Sequence, residues 1–165
     1  MHDSAASGAG RRTVPRPLVE DDLDRVVVIE RAVFTDPWSR RSFEEMLAKP
    51  YVRGIAVDGD DGTLVGYTLL ALVAGEGEIL NLAVDPALRR RGIGRHLLHA
   101  ALDLLRAAGT TSVFLEVRQS NRAAIQLYAK AGFRSVSIRR GYYRNPTEHA
   151  VTMTLALAPE NARKG

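Results

Sequence analysis

The segment Asn81-Leu-Ala-Val-Asp-Pro-Ala-Leu-Arg-Arg-Arg-Gly-Ile-Gly-Arg95 constrains the fold of this chain more than any other. An apolar, strand-like run ends near Val84, a turn carries Arg89, Arg90 and Arg91, and Gly92 and Gly94 open a long amphipathic stretch. A strand passing through such a turn into a helix aims main-chain N–H groups outward, and the helix N-terminus adds roughly half a positive charge. A phosphate or pyrophosphate is the natural guest of that arrangement. Neither glycine has a Cβ, so a ligand can approach the main chain closely. Two common phosphate-binding patterns do not fit. Gly-Lys-Ser/Thr is missing after the second glycine, so the segment is no P-loop. Leu97 stands at the third glycine position of a dinucleotide fingerprint, and no clear βαβ unit precedes it.

At 165 residues the chain suits one domain with a proper core. Its 45% apolar and 25% charged residues are ordinary for a soluble globular protein. No apolar run approaches the ~18 residues that span a bilayer, and the N-terminus has no apolar signal core. The absence of cysteine removes disulfides, thiolate metal sites and a cysteine nucleophile, and a cytoplasmic location is expected. The net charge of +4 raises nucleic acid as a partner. The arginines are dispersed, however, as Arg11, Arg12 and Arg16, then Arg89 to Arg91, then Arg139, Arg140 and Arg144. No aromatic platform interleaves them, so neither direct nucleic-acid binding nor membrane contact is expected. His96 and His99 are spaced for one helix face but lack a third ligand, and with His2 and His149 they suggest no metal site.

Residues 1–12 are small, polar and glycine-rich and are expected to be disordered, with a domain over 13–157 and a tail over 158–165. A short strand is expected over Thr13–Pro17, then a helix opened by the acidic run Glu20–Asp24 and reaching Phe34. Ser39 is a good N-cap for a second helix that Pro50 ends. Strands follow over Tyr51–Val57, Thr63–Val73 and Glu78–Val84, joined by glycine-rich turns. Helical spacing of Ile93, Leu97, Leu98, Ala101, Leu104, Leu105 and Ala108 predicts a helix over Gly92–Ala108 with one face on a sheet. A strand over Thr111–Val117, a helix over Asn121–Ala131 and strands over Phe133–Arg140 and Ala150–Leu157 complete the order β-α-α-β-β-β-α-β-α-β-β. This is an α/β fold, a mixed central sheet flanked by helices.

A second informative stretch runs from Glu116 to Phe133. An acid near the end of an apolar strand, at the mouth of a sheet, suits proton transfer, and burial would raise its pKa toward neutrality. Tyr128, on the following helix, can point back at the strand end and donate a proton to a leaving thiolate. Both residues also have plainer readings: Glu116 can pair with Arg118 or cap the next helix, and Tyr128 can fill the core. Glu76 and Glu78 are alternative bases, although the turn beside them favours a solvated role.

Arg89-x-x-Gly92-x-Gly94 resembles the Gln/Arg-x-x-Gly-x-Gly/Ala signature of the GCN5-related N-acetyltransferases (GNAT), and the resemblance covers about residues 13–157. Asn-Leu-Ala-Val-Asp-Pro, Leu-Glu-Val-Arg-x-Ser-Asn, Ala-Ile-x-Leu-Tyr and Gly-Phe are similar to the RimI branch, as are Asp36-Pro37-Trp38-Ser39 and Ile138-Arg139-Arg140-Gly141-Tyr142-Tyr143. The resemblance implies the GNAT acyl-CoA N-acyltransferase fold, acetyl-CoA as cosubstrate, and acetyl transfer to the N-terminal alanine of a small-subunit ribosomal protein. It makes Glu116 the general base for the α-amine and Tyr128 the general acid for the coenzyme A thiolate. Leu82, Ala83 and Val84 would offer main-chain groups to the pantetheine arm and acetyl carbonyl. Arg90, Arg91, Gly92, Ile93, Gly94 and Arg95 would hold the pyrophosphate, and Asn121 the pantetheine region. Trp38, Tyr142 and Tyr143 would wall the incoming peptide, with a buried core role equally open to Trp38. The same fold could instead acetylate lysine side chains, free amino acids or small amines, or merely bind coenzyme A.

Overall fold

The computed structural model describes residues 14–158, so the expected N-terminal tail, Thr13 and the tail beyond Ala158 lie outside it. The elements are β1 (Arg16–Pro17), α1 (Leu23–Val33), α2 (Arg40–Leu47), β2 (Val52–Asp58), β3 (Leu64–Val73), β4 (Glu76–Val84), α3 (Ile93–Ala107), β5 (Ser112–Arg118), α4 (Arg122–Lys130), β6 (Arg134–Tyr143) and β7 (Glu148–Ala156). Their order is the expected one. The strands form a single sheet, ordered β1-β2-β3-β4-β5-β7-β6. Every neighbouring pair is antiparallel except β4 and β5.

Local chemistry sets the element boundaries. The prolines flanking Arg16 donate no N–H, which keeps β1 short. Arg16 clamps Asp22 with bonds of 2.7 and 2.9 Å and reaches Asp58 at 2.8 Å, tying the start of α1 to the end of β2. Ser39 caps α2 by accepting from the Ser42 N–H at 3.1 Å. The two faces of the sheet carry separate cores. Along β2, Ile55 and Val57 join the core beneath α3 and α4, while Val52 and Ala56 join the one beneath α1 and α2.

Two departures from the sequence expectation bear on the site. First, β6 continues to Tyr143 and β7 starts at Glu148, with Tyr143 opposite Glu148 across the hairpin. An irregularity between Arg139 and Tyr143, where Gly141 has φ +61°, hides the strand alternation from the sequence. Tyr142 and Tyr143 therefore lie on a strand. Second, β4 starts at Glu76 and is bulged. Leu70 faces Ile79 and Leu69 faces Asn81, so Leu80 is the extra residue. Among the described residues no helix is long and apolar enough to cross a membrane.

Candidate active site

The sheet splits at its centre. β4 pairs with β5 only from Glu76–Ser112 to Ile79–Leu115, whereas β5 keeps pairing with β7 as far as Arg118. Beyond Ile79 the two parallel strands part. The main chain of Leu80–Val84 thus faces a gap where a neighbouring strand would otherwise satisfy it. Glu116 is the first β5 residue past the last paired position.

The arginine-glycine loop closes one end of this gap. Asp85 anchors it, accepting from Arg25 at 2.6 Å and from the Ala87 N–H at 3.0 Å. The chain then turns through Arg90 at φ +64° and Gly92 at φ +78°, and α3 begins at Ile93. Gly92 supplies no side-chain cap, so the first N–H groups of α3 point outward without an intrahelical partner. The two glycines have different reasons. Gly92 takes a left-handed conformation that only glycine adopts freely. Gly94 does not, and a Cβ built there would meet Leu127, Val84 and Leu82 at ordinary contact distances of 3.5 to 3.9 Å. Packing within the protein therefore does not demand glycine at 94. A cleft of about 320 Å³ continues between α3 and α4, lined by Arg95, His99 and Lys130. Asn121 caps α4, its side chain accepting from the Ala124 N–H at 3.1 Å.

At the other end of the gap, Glu116 gathers the acceptor-side groups. Its side chain is 14% exposed, and Oε1 accepts from Arg139 Nη1 at 2.6 Å. The partner is Arg139 on β6, not the Arg118 considered from sequence. Oε2 is buried and makes no hydrogen bond of full geometry among the described residues. The Tyr142 phenol adjoins this carboxylate; burial, then hydrogen bonding to Glu116 and its charge, push the Tyr142 pKa up. Burial likewise pushes Tyr143 up to about 12. The Tyr142 and Tyr143 rings meet edge-on at 5.0 Å, with Arg139 over Tyr142 at 4.8 Å and Arg118 over Tyr143 at 4.5 Å. Arg118 also bonds Glu148 at 3.3 Å and the Arg144 carbonyl at 2.7 Å, holding the β6–β7 hairpin to the end of β5.

Tyr128 is buried and packs edge-on against Phe133 at 5.7 Å. Burial, with a smaller contribution from Tyr143, holds its pKa far above the ordinary phenol value, so it stays protonated at every physiological pH. The half-buried Glu78 is raised by burial first and then by the charge of Glu116. Glu116, Glu78, Tyr142, Tyr143 and Tyr128 therefore form one electrostatically connected group. Trp38 belongs to a different wall, where its ring packs on Phe43 at 5.3 Å.

Sequence reasoning missed Arg139, the Arg118 clamp and the buried Glu30, to which Asn81 Nδ2 donates at 2.9 Å. Only Glu30 and its partner had a visible signal. Glu30 follows Val26 and Val27 on the apolar stripe of α1, and Asn81 interrupts an apolar strand. Among the described residues no cluster of His, Asp or Glu is arranged to hold a metal.

Comparison with known proteins agrees with this geometry. Residues 23–133 match the model of the Acetyltransferase (GNAT) family. The chain is 36% identical over 145 residues to the ribosomal protein bS18-alanine N-acetyltransferase of Escherichia coli K12, covering 86% of this chain and 95% of that protein. It is 39% identical over 142 residues to the N-alpha-acetyltransferase RimI of Mycobacterium tuberculosis, covering 82% and 87% respectively. The crystal structure of the ribosomal-protein-S18-alanine N-acetyltransferase from Escherichia coli superposes with a TM-score of 0.81 at 33% identity, over 90% of this chain and 97% of that one. The likeness extends well beyond the arginine-glycine loop to the whole split sheet, and this chain belongs to the GNAT family of acetyltransferases.

Proposed function

We propose that this chain transfers acetyl from acetyl-coenzyme A to the N-terminal α-amine of a small-subunit ribosomal protein that begins with alanine. The observation that carries the reading is the parting of β4 from β5 between an anion-binding loop and a buried carboxylate. The Escherichia coli relative supports the ribosomal alanine acceptor, and the Mycobacterium tuberculosis relative supports the α-amine. Both substrates, and therefore the reaction, are cytoplasmic on this reading.

Acetyl-coenzyme A, when bound, supplies the acetyl group as a thioester. The outward N–H groups after Gly92, with Arg90, Arg91, Ile93, Gly94 and Arg95, hold its pyrophosphate, and the absence of a Cβ at Gly94 lets the coenzyme approach the main chain closely. Leu82, Ala83 and Val84 offer main-chain groups to that arm and to the oxygen that becomes negative during attack. The Asn121 amide, whose oxygen caps α4, has its N–H donors left to turn toward the same arm. Glu116 takes one proton from the neutral α-amine as its nitrogen bonds to the acetyl carbon, directly or through water, with Oε2 as the receiving atom. Tyr128 donates its proton to the departing sulfur. Trp38 on one side and Tyr142 with Tyr143 on the other bound the peptide. With no cysteine available, direct transfer between two held substrates is the economical route.

The test is acetyl-coenzyme A turnover against peptides beginning Ala-Arg, Ser, Met and Gly, an α-blocked peptide with a free lysine, and free amines. Preference for Ala-Arg is expected. Activity confined to lysine or free amines overturns the acceptor, and coenzyme binding without any turnover overturns the enzyme reading.

A further inference from the structure

Glu30 occupies the last turn of α1 and is 1% exposed. Its carboxylate accepts three hydrogen bonds from three different places. Oε1 takes the Trp38 N–H at 3.2 Å, and Oε2 takes Asn81 Nδ2 at 2.9 Å together with the Tyr67 hydroxyl. All three donors are neutral. A buried carboxylate held by neutral donors costs more than an apolar side chain of the same size would. Stability does not account for an acid here, and its geometry does.

The three donors mark the acceptor side of the proposed site. Trp38 lies at the end of the segment between α1 and α2, just before the Ser39 cap. Asn81 follows the bulged Leu80 and precedes the Leu82–Val84 edge. The Thr68 hydroxyl grips the Asn81 carbonyl at 2.8 Å, so both the side chain and the main chain of Asn81 are fixed. Tyr67 closes a ring of contacts, because its ring meets Phe43 at 5.8 Å and Phe43 meets Trp38 at 5.3 Å. We propose that Glu30 is a positioning residue for the acceptor: its carboxylate sets the spacing between the Trp38 segment and the bulged edge of β4, and so the width of the path along which the peptide amine reaches the acetyl group. This rests on the peptide-acceptor reading above. Glu30 touches neither substrate in this role, and its hydrogen bonds go to Trp38, Tyr67 and Asn81 rather than to the arginine-glycine loop.

Glu30→Gln tests the idea. Glutamine keeps one acceptor oxygen, which goes to the pair of donors Tyr67 and Asn81, so its NH2 confronts the Trp38 N–H and that segment loses its anchor. The expected result is a split: KM for the Ala-Arg peptide rises about tenfold while KM for acetyl-coenzyme A stays within about twofold. Tyr67→Phe removes one donor and leaves the Trp38 arm intact, so its peptide KM is expected to stay within about twofold of wild type. Trp38 is the single tryptophan, and its fluorescence gives a peptide titration independent of turnover. Half-saturation in Glu30→Gln should need about tenfold more peptide. If both KM values rise together, or turnover falls only in proportion to the folded fraction, Glu30 is mere structural support and the proposal is overturned. A wild-type enzyme that neither binds nor acetylates the peptide overturns the acceptor reading first, and Glu30 with it.

Discussion

Glu116 has one oxygen engaged by Arg139 and the other buried without a well-formed partner, and the proposed mechanism uses that second oxygen. Glu116→Gln keeps the volume and removes the proposed base. Turnover is expected to fall roughly 100- to 10,000-fold with acetyl-coenzyme A binding unchanged by calorimetry. Tyr128→Phe keeps the ring contact with Phe133 and removes only the hydroxyl, so a similar loss of turnover with an unchanged melting temperature is expected. Unchanged turnover in either variant removes that residue from the mechanism. The two loop glycines separate fold from ligand. Gly92→Ala places a Cβ at φ +78° and should cost about 1–2 kcal/mol of stability. Gly94→Ala meets only ordinary contacts in the protein, so its melting curve should match wild type while KM for acetyl-coenzyme A rises. A Gly94→Ala enzyme that melts early but binds the coenzyme normally would reverse that assignment.

At the scale of elements, the short turn ending at Asn121 couples β5, which carries Glu116, to α4, which carries Tyr128. The α4 cap is Asn121, and replacing it with alanine should cost about 1 kcal/mol in urea unfolding. A rise in KM for acetyl-coenzyme A beyond that loss marks the added ligand role, and stability loss alone leaves Asn121 a cap. The same reasoning explains what the sequence disclosed. Helical spacing, caps and glycine-rich turns are local, so the order of elements and the arginine-glycine turn into α3 were legible. The placing of Glu116 and Tyr128 came from the family resemblance and from strand and helix position. What escaped was non-local. The partner of Glu116 depends on β6 lying outside β7, which brings Arg139 rather than Arg118 to the carboxylate. The bulge at Leu80 reverses the alternation of β4, so that Ile79, Leu82 and Val84 share the α3 face while Leu80 and Asn81 face α1. Such a reversal is written in the spacing, yet it has meaning only once β3 supplies the register.

Over the whole molecule, two sets of carboxylates pull stability in opposite directions with pH. Hydrogen bonds from Arg16 hold Asp22 below its ordinary value, and the Ala87 N–H with Arg25 does the same for Asp85. Their contribution is full above the ordinary aspartate pKa of about 3.9 and is lost as pH falls through their lower folded values. Burial raises Glu30, and burial with the charge of Glu116 raises Glu78. For these the sign reverses: their contribution is full below the ordinary glutamate pKa of about 4.3 and is lost as pH rises through their raised folded values. Above that value the second set carries the pH dependence of these four groups, and stability should fall as pH rises toward their raised folded values. Below it the first set dominates, and stability should fall as pH drops. The melting temperature is therefore expected to peak at mildly acidic pH when scanned from about pH 3.5 to 8 at constant ionic strength. Glu78→Gln cannot titrate, so its curve should be flatter on the neutral side and unchanged on the acid side. A wild-type melting temperature that climbs steadily to neutrality, or an E78Q curve parallel to it throughout, would show that the desolvation of these buried acids is repaid in the folded state by the donors around them.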